Sequence, residues 1–144
     1  MLNLILKAML TAGVWASVFL TPFSFADNQE PKALSLQQIL EGQHRSPQSI
    51  ARNGSRHPFE TLGFFGLRRN MTLIEIGPSG GWYTEILAPY MRDHGRYYGA
   101  HFSPNTTNSF QRRNLEEFET KLTANPSLYG RAVIRHLQPP NEIA

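Results

Sequence analysis

The sequence predicts an α/β fold: a partial parallel sheet of three strands in βαβαβ order, preceded by short helices. Three observations predict it. A short apolar run, Met71-Thr72-Leu73-Ile74-Glu75-Ile76, leads directly into Gly77-Pro78-Ser79-Gly80-Gly81. Two further strand-like runs, Gly95 to Phe102 and Arg131 to Leu137, alternate with helix-like segments. The chain has 144 residues, 40% hydrophobic and 11% aromatic, which suits one globular domain rather than a disordered chain.

Residues 1–26 read as an address rather than as part of the fold. Lys7 is the only charge before Asp27, and Ala8 to Leu20 is an uninterrupted run without charge. Thr21-Pro22 breaks helical continuity, and Ser24-Phe25-Ala26 places small residues at the −3 and −1 positions of a cleavage site. The uncharged stretch 8–26 approaches the length of about 20 residues that a spanning helix needs. Pro22 and the small-x-small ending favour a cleaved signal peptide over an anchor. No twin-arginine pair precedes the run, which points to Sec-type export. The expected product is periplasmic or secreted, with no stable membrane anchor after cleavage.

Residues 27–55 form a helical and looped lead-in. Leu34, Leu36, Ile39 and Leu40 are spaced for one apolar stripe on a short helix, with Ser35 near its start. His44 to Arg56 is rich in Ser, Arg, Asn, Pro and Gly and reads as a loop. Residues 56–144 form the sheet-bearing unit. Pro58 with Glu60 opens a helix through Leu62, Phe64 and Phe65, which Gly66 stops. The run 71–76 reads as a strand buried on both faces, as parallel strands usually are. Trp82 to Ala88 reads as a helix that Pro89 ends or kinks. Asn108 to Leu122 reads as a helix with Leu115, Phe118 and Leu122 on one face and a Glu117–Lys121 pair at i,i+4. Asn125-Pro126 ends it, and Gln138-Pro139-Pro140 closes the third strand.

Composition excludes several chemistries. With no Cys there is no disulfide framework, thiolate metal site or cysteine nucleophile. His44, His57, His94, His101 and His136 form no metal-binding spacing. A net charge of +3 with no Lys/Arg block argues against nucleic acid as a partner.

A strand that runs into glycines and then a helix puts backbone N–H groups at the carboxyl edge of a sheet, where a ligand can approach the main chain. The stretch Leu73-Ile74-Glu75-Ile76-Gly77-Pro78-Ser79-Gly80-Gly81-Trp82 resembles motif I of the Rossmann-like, class I S-adenosylmethionine-dependent methyltransferases. Glu75 takes the acid position, Gly77 and Gly81 the first and last glycine positions, and Ser79 stands where the pattern has its middle glycine. From about Arg56 to Ala144 the chain is similar to the N-terminal half of a predicted exported methyltransferase family, with GGWYTEILAPY and AHF among the shared phrases. The resemblance implies S-adenosyl-L-methionine as cofactor. It implies a cradle for the methionine moiety made by Gly77, Pro78, Ser79, Gly80 and Gly81. It also implies a Glu75 carboxylate that helps hold the ammonium group, and a residue closing the second strand, here His101, that reaches the ribose. The second strand ends in His101-Phe102-Ser103, with no acid there.

The family's domain has further strands on the other side of strand 1. With strands 1, 2 and 3 only, the expected product is a truncated half-domain with impaired or no turnover. Its first strand is then an open edge, ready for a complementing chain or for self-association. Two other readings remain open. Gly77-Pro78-Ser79-Gly80-Gly81 is a literal G-x-S-x-G, with Asp93 and His136 following in serine-hydrolase order. The turn is otherwise a plain βα connection. Dinucleotide binding fits less well, because G-x-G-x-x-G fails at Ser79.

Overall fold

A computed structural model describes residues 33–138, 142 and 143; the expected signal peptide lies outside the described residues. Within them the helices α1 (Leu36–Leu40), α2 (Pro47–Ala51), α3 (Asn53–Arg56) and α4 (Pro58–Phe64) precede β1 (Thr72–Ile76). There follow α5 (Thr84–Met91), β2 (Arg96–Phe102), α6 (Ser109–Ala124), α7 (Pro126–Tyr129), β3 (Val133–Gln138) and β4 (Glu142–Ile143). The sheet order is β1-β2-β3-β4. The first three strands are parallel, as the alternation of strands and helices predicts, and β1 stands at one edge. The expected mixed α/β architecture is therefore present.

Local signals explain most boundaries. Ser35 caps α1 in a full capping box with Gln38. Pro58 occupies the first turn of α4, and Gly66 takes φ +67° just beyond its end. Asn108 caps α6 by accepting from the N–H groups of Phe110 and Gln111. Leu115, Phe118 and Leu122 face the core as their spacing predicts. Phe118 and Leu122 join Ile39, Leu40, Leu62, Ile86, Leu87, Tyr97 and Tyr129 in one cluster.

Five expectations need correction. The stretch 44–56 is not a loop: Ser46 accepts from the Ser49 N–H and Pro47 opens α2, with α3 directly after. Of the two outcomes expected of Pro89, ending or kinking the helix, the first does not occur: Pro89 lies inside α5. Its missing N–H would have bonded the Glu85 carbonyl, and His44 Nε2 fills that place at 2.9 Å. Lys121 pairs with Glu85 rather than Glu117, because the buried carboxylate offers a better-formed site than an exposed neighbour. A short antiparallel strand, β4, follows β3 where only a closing turn was expected.

The fifth correction concerns β1, which is covered on one face only. In register, Leu73–Tyr97, Glu75–Gly99–Ile134 and His101–His136 share the face on which α5 and α6 pack. Ile74–Tyr98–Val133 and Ile76–Ala100–Arg135 share the other. There Ile74 is 49% and Ile76 70% exposed. A parallel strand reads as apolar throughout when both faces are covered; here the second covering layer is not among the described residues.

Candidate functional site

The site stands where β1 ends. Ile76 passes directly into Gly77, whose N–H still bonds the Ala100 carbonyl of β2 at 2.9 Å. The chain then turns, with Gly81 N–H bonding the Pro78 carbonyl at 2.8 Å. Gly77, Ser79 and Gly81 take φ +64°, +51° and +77°. Alternate left-handed residues fold the backbone back on itself. Among the described residues the N–H groups of Ser79 and Gly80 have no partner.

Ser79 adopts an angle that costs an L-residue roughly 1–2 kcal/mol. Two contacts hold it there. Its hydroxyl donates to Asn114 Oδ1 at 3.0 Å, and Asn114 is itself fixed by donating Nδ2–H to the Phe110 carbonyl at 2.9 Å. Its carbonyl faces His101 Nε2 at 3.2 Å. Since the Phe102 N–H donates to His101 Nδ1 at 2.8 Å, the neutral ring carries its proton on Nε2 and donates to Ser79. His101 is 1% exposed and packs on Phe118 with ring centroids 5.1 Å apart. Burial pushes its imidazole below the ordinary histidine value, with the bond to Ser79 opposing. Both ring nitrogens are thus engaged, and through Nε2 His101 supports the turn.

Glu75 projects from β1 toward the same turn. Its Oε2 accepts from Tyr97 Oη at 2.6 Å and from Thr84 Oγ1 at 2.9 Å. Burial pushes the Glu75 carboxyl above the usual carboxylate range, while the bonds from Tyr97 and Thr84 pull it down. Burial and the Glu75 charge together push the Tyr97 phenol strongly upward, so it stays a donor.

A cleft of about 470 Å³ opens over these groups. Glu75, Gly77, Pro78, Ser79 and Gly80 line it together with Arg52, Arg56, Trp82 and Lys121. Gly81 and His101 do not line it. A side chain at Gly81 would meet the Phe118 ring at 3.2 Å, so this glycine serves close packing of the turn on α6.

The cationic wall was not foreseen from the sequence. Trp82 is buried, its indole N–H donating to the Ser49 carbonyl at 2.9 Å. The guanidinium carbons of Arg45, Arg52 and Arg56 stand 5.2, 5.6 and 4.9 Å from its ring centroid. Arg45 is buried and satisfied by Glu85 at 3.4 Å, the Leu40 carbonyl at 2.7 Å and Asn53 Oδ1 at 3.0 Å. Lys121 bonds both Glu85 Oε1 and the Gly80 carbonyl at 2.6 Å. Arginines at 45, 52 and 56 have the spacing of one helix face, a signal that the Pro and Ser content of the segment obscured.

The serine-hydrolase constellation is not assembled. Ser79 Oγ is committed to Asn114, and His136 Nδ1 faces the Phe102 carbonyl at 3.1 Å. Asp93 pairs with Arg92 just before β2 begins, at the opposite end of the sheet. The length of β1, on the order of 15 Å, separates that end from Ser79. Among the described residues no His/Asp/Glu cluster could hold a metal ion, and no helix is long and apolar enough to cross a membrane.

Comparison with protein-family models, curated proteins and solved structures finds no match to the chain.

Proposed function

We infer that the protein is an exported, S-adenosylmethionine-dependent methyltransferase-like protein whose described residues form the cofactor half of a site. The observation that supports this most is the pairing of Glu75 with a turn of positive φ at residues 77, 79 and 81, whose Ser79 and Gly80 N–H groups have no partner among the described residues. The residues fit the cofactor's amino-acid head. A methyl group added at Gly77 or Gly80 would meet no atom within 4 Å, so the outer surface of the turn is open to a ligand. Glu75 Oε1 has no partner among the described residues and suits an ammonium group, directly or through water.

The cofactor, when bound, supplies an electrophilic methyl group on a sulfonium. The chain's own residues position it. Tyr97 and Thr84 fix the Glu75 carboxylate, and His101 and Asn114 fix the turn. Methyl transfer also needs the acceptor held in line at near-attack distance, which is much of catalysis. Among the described residues nothing stands on the free side of β1 to hold an acceptor. Cofactor binding is therefore the step these described residues can supply.

Calorimetry of the full chain with S-adenosylhomocysteine tests this. Binding that weakens at least tenfold in Glu75→Ala is the expected result; no heat at millimolar ligand contradicts it. Export is tested separately: the expected extracytoplasmic product begins at Asp27, and a product retaining residues 1–26 contradicts cleavage.

A second reading is favoured by the exposed edge. β1 presents unpaired backbone groups beside exposed Ile74 and Ile76, a combination that invites a further strand. A complementing chain or a second copy would complete the sheet, with or without chemistry. Sedimentation should show concentration-dependent association that Ile74→Lys abolishes, whereas a monomer at all concentrations removes self-association.

A further inference from the structure

We propose that Arg52 and Arg56 form an oxyanion clamp on the cleft wall, built to take the carboxylate of an amino-acid-bearing ligand or an equivalent phosphate. Three arginines stack on Trp82, but only Arg45 has a carboxylate partner; Arg52 and Arg56 make no ion pair among the described residues. They are four residues apart at α2–α3, a spacing at which like charges repel when nothing lies between them.

The platform beneath them is rigid. Trp82 is buried and pinned through its indole N–H to Ser49, so each guanidinium is oriented by a fixed ring rather than left free in water. A planar guanidinium presents paired donors that match a carboxylate or phosphate edge, and an anion between two of them relieves their repulsion. Both line the same cleft as Glu75 and the Ser79 and Gly80 amides. The cleft therefore offers a carboxylate for an ammonium and two guanidinium groups for an oxyanion, the pattern of an α-amino acid head. Assigning the oxyanion to the cofactor's carboxylate rests on the function proposed above; the clamp itself does not.

Calorimetry of the full chain with three probes separates these claims. S-adenosylhomocysteine carries the amino-acid head, 5′-methylthioadenosine lacks it, and inorganic phosphate is the oxyanion alone. The wild type should bind S-adenosylhomocysteine more tightly than methylthioadenosine. The double variant Arg52→Gln/Arg56→Gln should lose at least tenfold for S-adenosylhomocysteine, nothing for methylthioadenosine, and its phosphate heat entirely. The pair Arg52→Lys/Arg56→Lys, which keeps charge without the fork, should recover part of the phosphate affinity. Equal S-adenosylhomocysteine and phosphate binding by wild type and double glutamine variant overturns the clamp while leaving the cofactor reading in place. Arginine-dependent phosphate binding without S-adenosylhomocysteine binding does the reverse. No binding of any probe overturns both.

Discussion

Two sets of arginines meet on one indole and are treated in opposite ways. Arg45 is buried beneath Trp82 and spends its donors on Glu85, the Leu40 carbonyl and Asn53. Arg52 and Arg56 stand on the cleft side, exposed and without a carboxylate partner among the described residues. The difference teaches how to separate a structural cation from a ligand-facing one. Where desolvation is severe the chain supplies every partner, as it does for Arg45, whose pKa burial lowers against the opposing pull of Glu85. Where a ligand is to arrive, the partner is left out.

The largest expected effect falls on the buried set. Glu85→Ala strands Arg45 in a site that burial makes costly, and should lower unfolding free energy by about 3–5 kcal/mol. Denaturant titration checks it, and a loss below about 1 kcal/mol would break the distinction drawn here. Gly81→Ala comes next. It meets a left-handed φ and a close approach to Phe118, for a loss of about 2 kcal/mol. The arginine pair lies at the small end: Arg52→Gln/Arg56→Gln loses two exposed cation–π contacts but relieves like-charge repulsion, and should change stability by about 1 kcal/mol or less while ligand affinity falls. A large stability loss there would show the pair to be structural.

The titratable groups sharpen the same contrast. The folded pKa of His101 lies below its unfolded value, so the unfolded state binds more protons in the window just under the ordinary histidine pKa. Stability should fall as pH drops through that window, and His101→Gln should flatten the dependence. For Glu75 the sign reverses. Its folded pKa is raised, so the folded state holds the extra proton and stability falls as pH rises above the ordinary carboxylate value. Glu75→Gln should therefore be more stable than wild type at neutral pH, yet bind S-adenosylhomocysteine less well. A functional carboxylate kept at a cost in stability behaves in this way. Melting curves at pH 5 and pH 7 separate the two residues.

Strands and the glycine turn were legible because their signals are local. Period, breakers and capping residues name β1, β2, β3, α1, α4 and α6 within a few positions. Glu75 and residues 77–81 could be picked out for the same reason. What escaped depends on contacts distant in sequence. Pro89 survives inside α5 only because His44 comes forty-one positions earlier in the chain to satisfy Glu85. Lys121 abandons its helical neighbour for the buried Glu85. His101 looked free at a strand end, but the turn above it claims its Nε2. Trp82 gathers arginines from a segment whose composition reads as loop. The exposure of Ile74 and Ile76 was invisible for a different reason: an apolar strand states that it expects cover on both faces, not that the described residues provide it.

The most direct measurement is of the Ser79 and Gly80 backbone amides by NMR, in the full chain titrated with S-adenosylhomocysteine. The account predicts saturable shifts of those two resonances and of Glu75, with the His101 Nε2–H signal kept in its bond to Ser79 throughout. Unchanged Ser79 and Gly80 amides at millimolar ligand, or shifts confined to another surface, would contradict it.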